Sequence, residues 1–136
     1  MRNIKFRVWD KSSKIMGSIR SIRGNFSQFS YVDYHPLLGL LPVKNREICH
    51  VELLQFTGLK DKYGVEIYEG DVISIGCSKT HPELDLVVVC RNFDTAAFAC
   101  RLPHEKEPYS DHLFGINSGE VIGNIYENPE LLEQQS

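Results

Sequence analysis

Between residues 51 and 75 the chain meets a turn signal every few residues, which confines this stretch to short extended segments. Thr57-Gly58, Asp61-Lys62-Tyr63-Gly64 and Glu69-Gly70-Asp71 punctuate it. Glycine accepts the positive φ that tight turns use, and aspartate hydrogen-bonds its own nearby backbone. The runs between these signals, 51–56, 65–68 and 72–75, are rich in β-branched and aromatic residues and are predicted to be strands.

The rest of the chain extends the pattern. Residues 4–8 alternate apolar with basic side chains, which predicts a half-buried strand. A turn at Asp10-Lys11-Ser12-Ser13 leads to strands near 15–22 and 26–32. Residues 84–90 are the most β-rich run, and 91–95 join them to 96–100 as a hairpin. Residues 103–120 are polar and turn-rich, and 121–126 are the last strand. Asn128-Pro129-Glu130 predicts a brief helix, with Asn128 as its N-cap and Pro129 at its first position. Residues 33–48 hold two prolines and a glycine and are read as an ordered loop. Its Leu37, Leu38, Leu40 and Leu41 are expected either in the core or in a contact between copies of the chain, a possible homo-oligomer.

The predicted fold is mainly β with minor α. An N-terminal antiparallel β-meander packs with a C-terminal SH3-like small barrel, and a short C-terminal helix follows. The barrel is suggested by the order after Asp71: a strand, a long loop, a hairpin and a closing strand. One domain covers 1–136, with an N-terminal β subregion over 1–56 and the barrel subregion over 57–136.

Composition excludes several classes. No apolar run approaches the ~18 residues of a membrane helix, so no membrane partner is expected. The N-terminus alternates charge and hydrophobe and does not read as a signal peptide, so a cytoplasmic location is expected. The four cysteines then stand as free thiols. Net charge is -3, but residues 1–23 carry +6 and the remainder -9. A basic end of this kind makes nucleic-acid binding through Lys5, Arg7 and Lys11 an alternative function.

Motifs for chemistry are sparse. Cys77-x-x-x-His81 and Cys49-His50 are the close metal-type groupings, without the paired spacing of a structural zinc site. As strand neighbours, Cys49 and His50 would point to opposite faces. Cys90 and Cys100 fall where small core hydrophobes belong. There is no P-loop, dinucleotide fingerprint or nucleophile elbow, and no cofactor is predicted. The acid pair Glu69 and Asp71 suggests an enzyme as a second alternative, although turn-building around Gly70 explains both.

Three segments point to a family. Phe6-Arg7-Val8-Trp9-Asp10 opens the chain. The run from Gln55 through Thr57-Gly58-Leu59-Lys60-Asp61-Lys62-Tyr63-Gly64 to Glu69-Gly70-Asp71-Val72-Ile73 stands in its middle. Val121-Ile122-Gly123-Asn124-Ile125-Tyr126-Glu127-Asn128-Pro129-Glu130 closes it. In this order they resemble the YopX-like family of phage and prophage proteins. The resemblance implies an SH3-like barrel after the Glu-Gly-Asp motif, a mobile-element gene in a bacterium, and no established activity. Tyr63 replaces the asparagine common in the family's turn. The expected function is a non-catalytic accessory module that binds a host or phage protein. Its candidate partner-binding residues are Trp9, Asp10, Lys60, Tyr63, Tyr68, Tyr126 and Asn128. Trp9 and Tyr68 are also read as staples between the meander and the barrel, while Tyr63, at a turn tip, is expected to be exposed.

Overall fold

The computed structural model describes residues 5–24, 30–37, 42–75, 86–91, 97–103, 105 and 118–132. The chain divides into two compact units, Asn3–Gln55 and Phe56–Ser136.

The first unit is an antiparallel sheet. Its strands are β1 (Phe6–Asp10), β2 (Ile15–Gly24), β3 (Ser30–Pro36), β4 (Lys44–Glu47) and the first half of β5 (Val51–Lys60). They lie in the order β4-β3-β2-β1-β5. Alternation along β1 buries Val8 and Asp10 on one face, with Trp9 half-buried on the other. Val8, Val32, Tyr34 and Val51 form the core, with Ile15, Ile19 and Leu53 packed around them. Each large apolar side chain removed from water contributes about 1.5–3 kcal/mol. Gly17 lies opposite Val8 on β1 and Pro36 on β3. A Cβ there would collide with the Tyr34 ring and lie 2.9 Å from the His35 carbonyl oxygen, so the close approach requires glycine.

Residues 33–48 depart from the predicted loop. They include most of β3 and all of β4, which pair from Tyr31↔Glu47 to Tyr34↔Lys44. Pro36 is tolerated because it ends its strand. β4, Lys-Asn-Arg-Glu, has no apolar residue to announce it. Its charged side chains suit the sheet edge it occupies. The strand expected at 26–32 lies instead at Ser30–Pro36, and residues 26–29 fall outside the described residues.

The second unit holds the second half of β5 paired with β6 (Glu66–Tyr68) and a four-stranded antiparallel sheet. That sheet is built from β7 (Asp71–Ser74), β8 (Leu86–Arg91), β9 (Phe98–Arg101) and β10 (Glu120–Asn124), in the order β10-β7-β8-β9. Ile67, Ile73, Val87, Val89 and Cys100 form its core, with Leu59, Ile75 and Val121 against them. Burial pushes the Cys100 thiol up to about 12, the proximity of Cys90 adding to it, so Cys100 behaves as a small hydrophobe. Cys49, Cys90 and Cys100 are free thiols.

Two local expectations change here. Thr57-Gly58 does not turn the chain. The register of β5 against β6 shifts between Phe56 and Lys60, and Gly58 takes φ 88° in that irregularity. The Thr57 hydroxyl donates to the Ile67 carbonyl at 2.8 Å and holds the strands together across it. The predicted C-terminal helix is a single 3-10 turn, Pro129–Leu132. Asn128 does not cap it with its side chain. Its Oδ1 instead accepts from the Asn124 amide behind it, at 3.2 Å.

Candidate functional site

The Asp61 turn is a tightly hydrogen-bonded surface feature of the second unit. The Asp61 side chain is buried and its Oδ1 accepts from the Tyr63 and Val65 amides at 2.8 and 2.9 Å. Its Oδ2 accepts from the Val121 amide at 2.9 Å. The Asp61 amide donates to the Val65 carbonyl at 2.8 Å, the Gly64 amide to the Asp61 carbonyl at 3.0 Å, and the Lys62 amide to the Gly119 carbonyl at 3.0 Å. Gly64 sits at φ 83°, the conformation that closes the turn and favours glycine. Burial alone would raise the Asp61 carboxyl. The amides of Val121, Val65 and Tyr63 and the charge of Lys62 outweigh it and hold the group below its ordinary value.

On this fixed turn Tyr63 is 68% exposed, with the Lys62 ammonium 5.2 Å from its ring centroid. Val65 is 47% exposed, and Ile122, on the strand joined to Asp61 through Val121, is 40% exposed. Lys60 is exposed as well. Asp61, Lys62, Val65 and Ile122 were not among the candidates from sequence. An aspartate three residues before a glycine was the available signal for the first of them.

The other candidates are placed differently. Tyr68 is half-buried and tilts against Phe56, ring centroids 5.4 Å apart. Tyr126 is half-buried over Gly70, where a Cβ would come within 2.8 Å of its ring. Gly70 also has φ 85°, so both the turn and the ring require glycine there. Asn128 is half-buried in the local network of Asn124. Trp9 is half-buried in the first unit.

Asp10 belongs to no surface patch, because it is fully buried in the first unit. Its Oδ1 accepts from the Ser12 and Ser13 amides at 2.9 and 3.2 Å. Its Oδ2 accepts from the Tyr34 hydroxyl at 2.5 Å and lies 3.0 Å from Arg46 Nε. Burial would raise this carboxyl, but the Tyr34 hydroxyl, the Ser13 and Ser12 amides and Arg46 together hold it below its ordinary value. Burial and the bond to Asp10 push the Tyr34 phenol well above its own. A buried carboxylate needs such partners, and these fix the first hairpin to β3 and β4.

The basic N-terminal residues are partly engaged. Lys5 and Arg7 are half-buried. Lys11 pairs with Glu52 at 3.2 Å, an exposed pair of small energetic weight. Arg23 Nε lies 2.9 Å from Asp33, whose carboxylate also accepts from Asn45 and Ser21. A shallow cavity of about 320 Å³ is lined by Arg23, Gly24, Tyr31 and Asn45.

Glu69 is half-buried and meets Arg91 at 3.0 Å. Asp71 is buried and accepts from the Tyr68 amide at 2.8 Å, which closes the turn around Gly70. Leu37 is 58% exposed, whereas Leu38, Leu40 and Leu41 lie outside the described residues, as do Cys77 and His81. Cys49 and His50 are not strand neighbours. They occupy a 3-10 turn, Ile48–His50, which removes the alternation that would have separated their side chains.

A family model described as YopX protein matches residues 5–133, nearly the whole chain. The chain belongs to the YopX family. Protein EF1440 from Enterococcus faecalis, known from a crystal structure, is similar to this YopX-family chain with a TM-score of 0.62 and 25% sequence identity. The likeness covers 97% of this chain and 99% of that one, and the mainly β fold is common to both. No curated protein matches the chain. No described helix is long and apolar enough to cross a membrane.

Proposed function

We propose that this YopX-family chain is a phage- or prophage-encoded accessory protein that binds a host or phage protein in the bacterial cytoplasm, without catalysis of its own. We read the second unit as an SH3-like barrel, supported by the β7-β8-β9 meander and the return of β10 to the side of β7. The Asp61 turn is the proposed docking face.

The observation that carries this reading is the combination of exposure and rigidity at Tyr63. Tyr63 is 68% exposed, yet its backbone is tied through Asp61 to Val65 and Val121. A tyrosine offers a large contact area for little side-chain entropy, and a turn already in its bound form costs little to order. Val65 and Ile122 add apolar area, and Lys60 and Lys62 give the rim a positive character that suits an acidic partner surface.

The test is a tagged pull-down from phage-bearing cells, with and without nuclease, using the wild type and Tyr63→Ala. The proposal expects a protein that survives nuclease and whose retention falls about 10-fold or more in the variant, as for an interface anchor. Material lost on nuclease, with binding that falls steeply with salt, would replace this reading by nucleic-acid binding through Lys5, Arg7 and Lys11.

A further inference from the structure

The 3-10 turn of the first unit groups three metal-binding side chains. A carboxylate oxygen of Glu47, the Cys49 sulfur and a ring nitrogen of His50 all lie within 4.8 Å of one another. We propose that Glu47, Cys49 and His50 form a zinc-type divalent metal site, holding one ion per chain with a fourth position left to water.

The donor chemistry selects the class of ion. Thiolate, imidazole and carboxylate together suit zinc, while calcium and magnesium take oxygen donors. Ligands at zinc distances of about 2.0–2.3 Å stand roughly 3.5 Å apart in a tetrahedron. Glu47 Oε2 and Cys49 Sγ are already 3.7 Å apart. The other separations are at most 4.8 Å, so side-chain rotations alone can bring the donors around a zinc-sized centre.

The backbone that carries the three donors is held from several sides. Glu47 ends β4 in register with Tyr31 on β3. The Val51 amide donates to the Ile48 carbonyl and closes the turn. The His50 carbonyl accepts from the Lys11 amide at 3.0 Å. Binding therefore requires rotamer changes and no refolding of the main chain, which favours a defined site. Cys49 and His50 are exposed and Glu47 half-buried, so an ion reaches them directly from solvent. Cys49 ligates as thiolate and releases its proton to solvent as the metal–sulfur bond forms. Three protein ligands with an open position is an accessible arrangement, unlike the closed four-ligand structural sites. The proposal is independent of the Asp61 turn.

The test is a titration of the reduced, chelator-cleared full chain with Co²⁺, followed by displacement with Zn²⁺. The expected result is a thiolate-to-cobalt charge-transfer absorption with tetrahedral-type visible bands, saturating at one equivalent and lost on adding zinc. Cys49→Ser abolishes the charge-transfer band, while Cys77→Ser leaves it intact. Glu47→Gln and His50→Ala each weaken affinity at least about 10-fold, the smallest loss expected around a metal centre. Cys49 and His50 are exposed and Glu47 half-buried, and an unchanged far-ultraviolet circular dichroism spectrum checks the fold of each variant. No charge-transfer band at one equivalent overturns the site, as does a band that survives Cys49→Ser. Wild-type affinity in Glu47→Gln or His50→Ala overturns the three-ligand set.

Discussion

Asp10 in the first unit and Asp61 in the second are both buried aspartates that organise a turn, but the two carboxylates work over different ranges. In the first unit Asp10 accepts from its own turn through Ser12 and Ser13, and also reaches Tyr34 and Arg46 on other strands. In the second, among the described residues, the Asp61 carboxylate accepts only from backbone amides, those of Tyr63, Val65 and Val121. Asp10 thus couples strands through side chains, so its loss leaves other polar groups unsatisfied. Asp61 sets the shape of one turn and ties it to one strand. The same residue type is in one place a tertiary link and in the other a local clamp.

The sharpest way to break this comparison is to remove each carboxylate. Asp10→Ala leaves the Tyr34 hydroxyl buried without its acceptor and Arg46 without its counter-charge. Equilibrium denaturation is expected to show a loss of about 3 kcal/mol, the lower end for a broken buried ion pair, because Arg46 still reaches water. A loss below about 1 kcal/mol, the net value of an ordinary hydrogen bond, would mean that the network carries no tertiary weight. Gly17→Ala probes the same unit through packing. Its Cβ meets the Tyr34 ring, and a cost of about 2 kcal/mol is expected from overpacking. Asp61→Ala is expected to cost less, about 1–2 kcal/mol, because the freed amides lie near solvent and recover water. Amide hydrogen exchange should then speed at Tyr63, Val65 and Val121 and stay unchanged along β1 and β2. Spread of the effect into those strands would contradict a local role.

Acid should act on both units in one direction. Asp10 and Asp61 are each held below the ordinary 3.8 in the folded state. The unfolded chain therefore binds these protons first as pH falls. The stability they contribute is complete above about pH 5 and is lost progressively as pH drops through the unfolded and then the lowered folded values. Denaturant midpoints at about pH 6 and about pH 3 should differ less in Asp10→Ala than in the wild type. The smallest effect on stability is expected for Tyr63→Ala, within about 0.5 kcal/mol, as for an exposed side chain outside the core. A larger loss would place the ring in a structural contact.

Legibility in the sequence followed the same division between local and distant. The turn at Asp61 and the strands around it were readable because their signals lie within a few residues, as were the alternation of β1 and the pairing of β8 with β9, whose connecting residues 92–96 fall outside the described residues. The network of Asp10 was not, since Tyr34 and Arg46 lie 24 and 36 residues away and nothing near Asp10 announces them. β4 was missed for a related reason. Lys-Asn-Arg-Glu has no strand propensity, and its place is set by pairing with β3. The glycine signal at Gly58 was real, but positive φ serves an irregular strand as well as a turn, and only the partner strand distinguishes them. Cys49 and His50 are brought together with Glu47 by a 3-10 turn that a strand-based reading had no reason to place there.

The docking proposal rests on Asp61 holding Tyr63 ready, so the most direct measurement separates the clamp from the ring. Affinity for the nuclease-resistant captured protein should be compared in wild type, Tyr63→Ala and Asp61→Ala. Preorganisation predicts that Asp61→Ala, which keeps the tyrosine, still weakens binding by about 10-fold, the equivalent of about 1.4 kcal/mol. Wild-type affinity in Asp61→Ala, or in Tyr63→Ala, would contradict it.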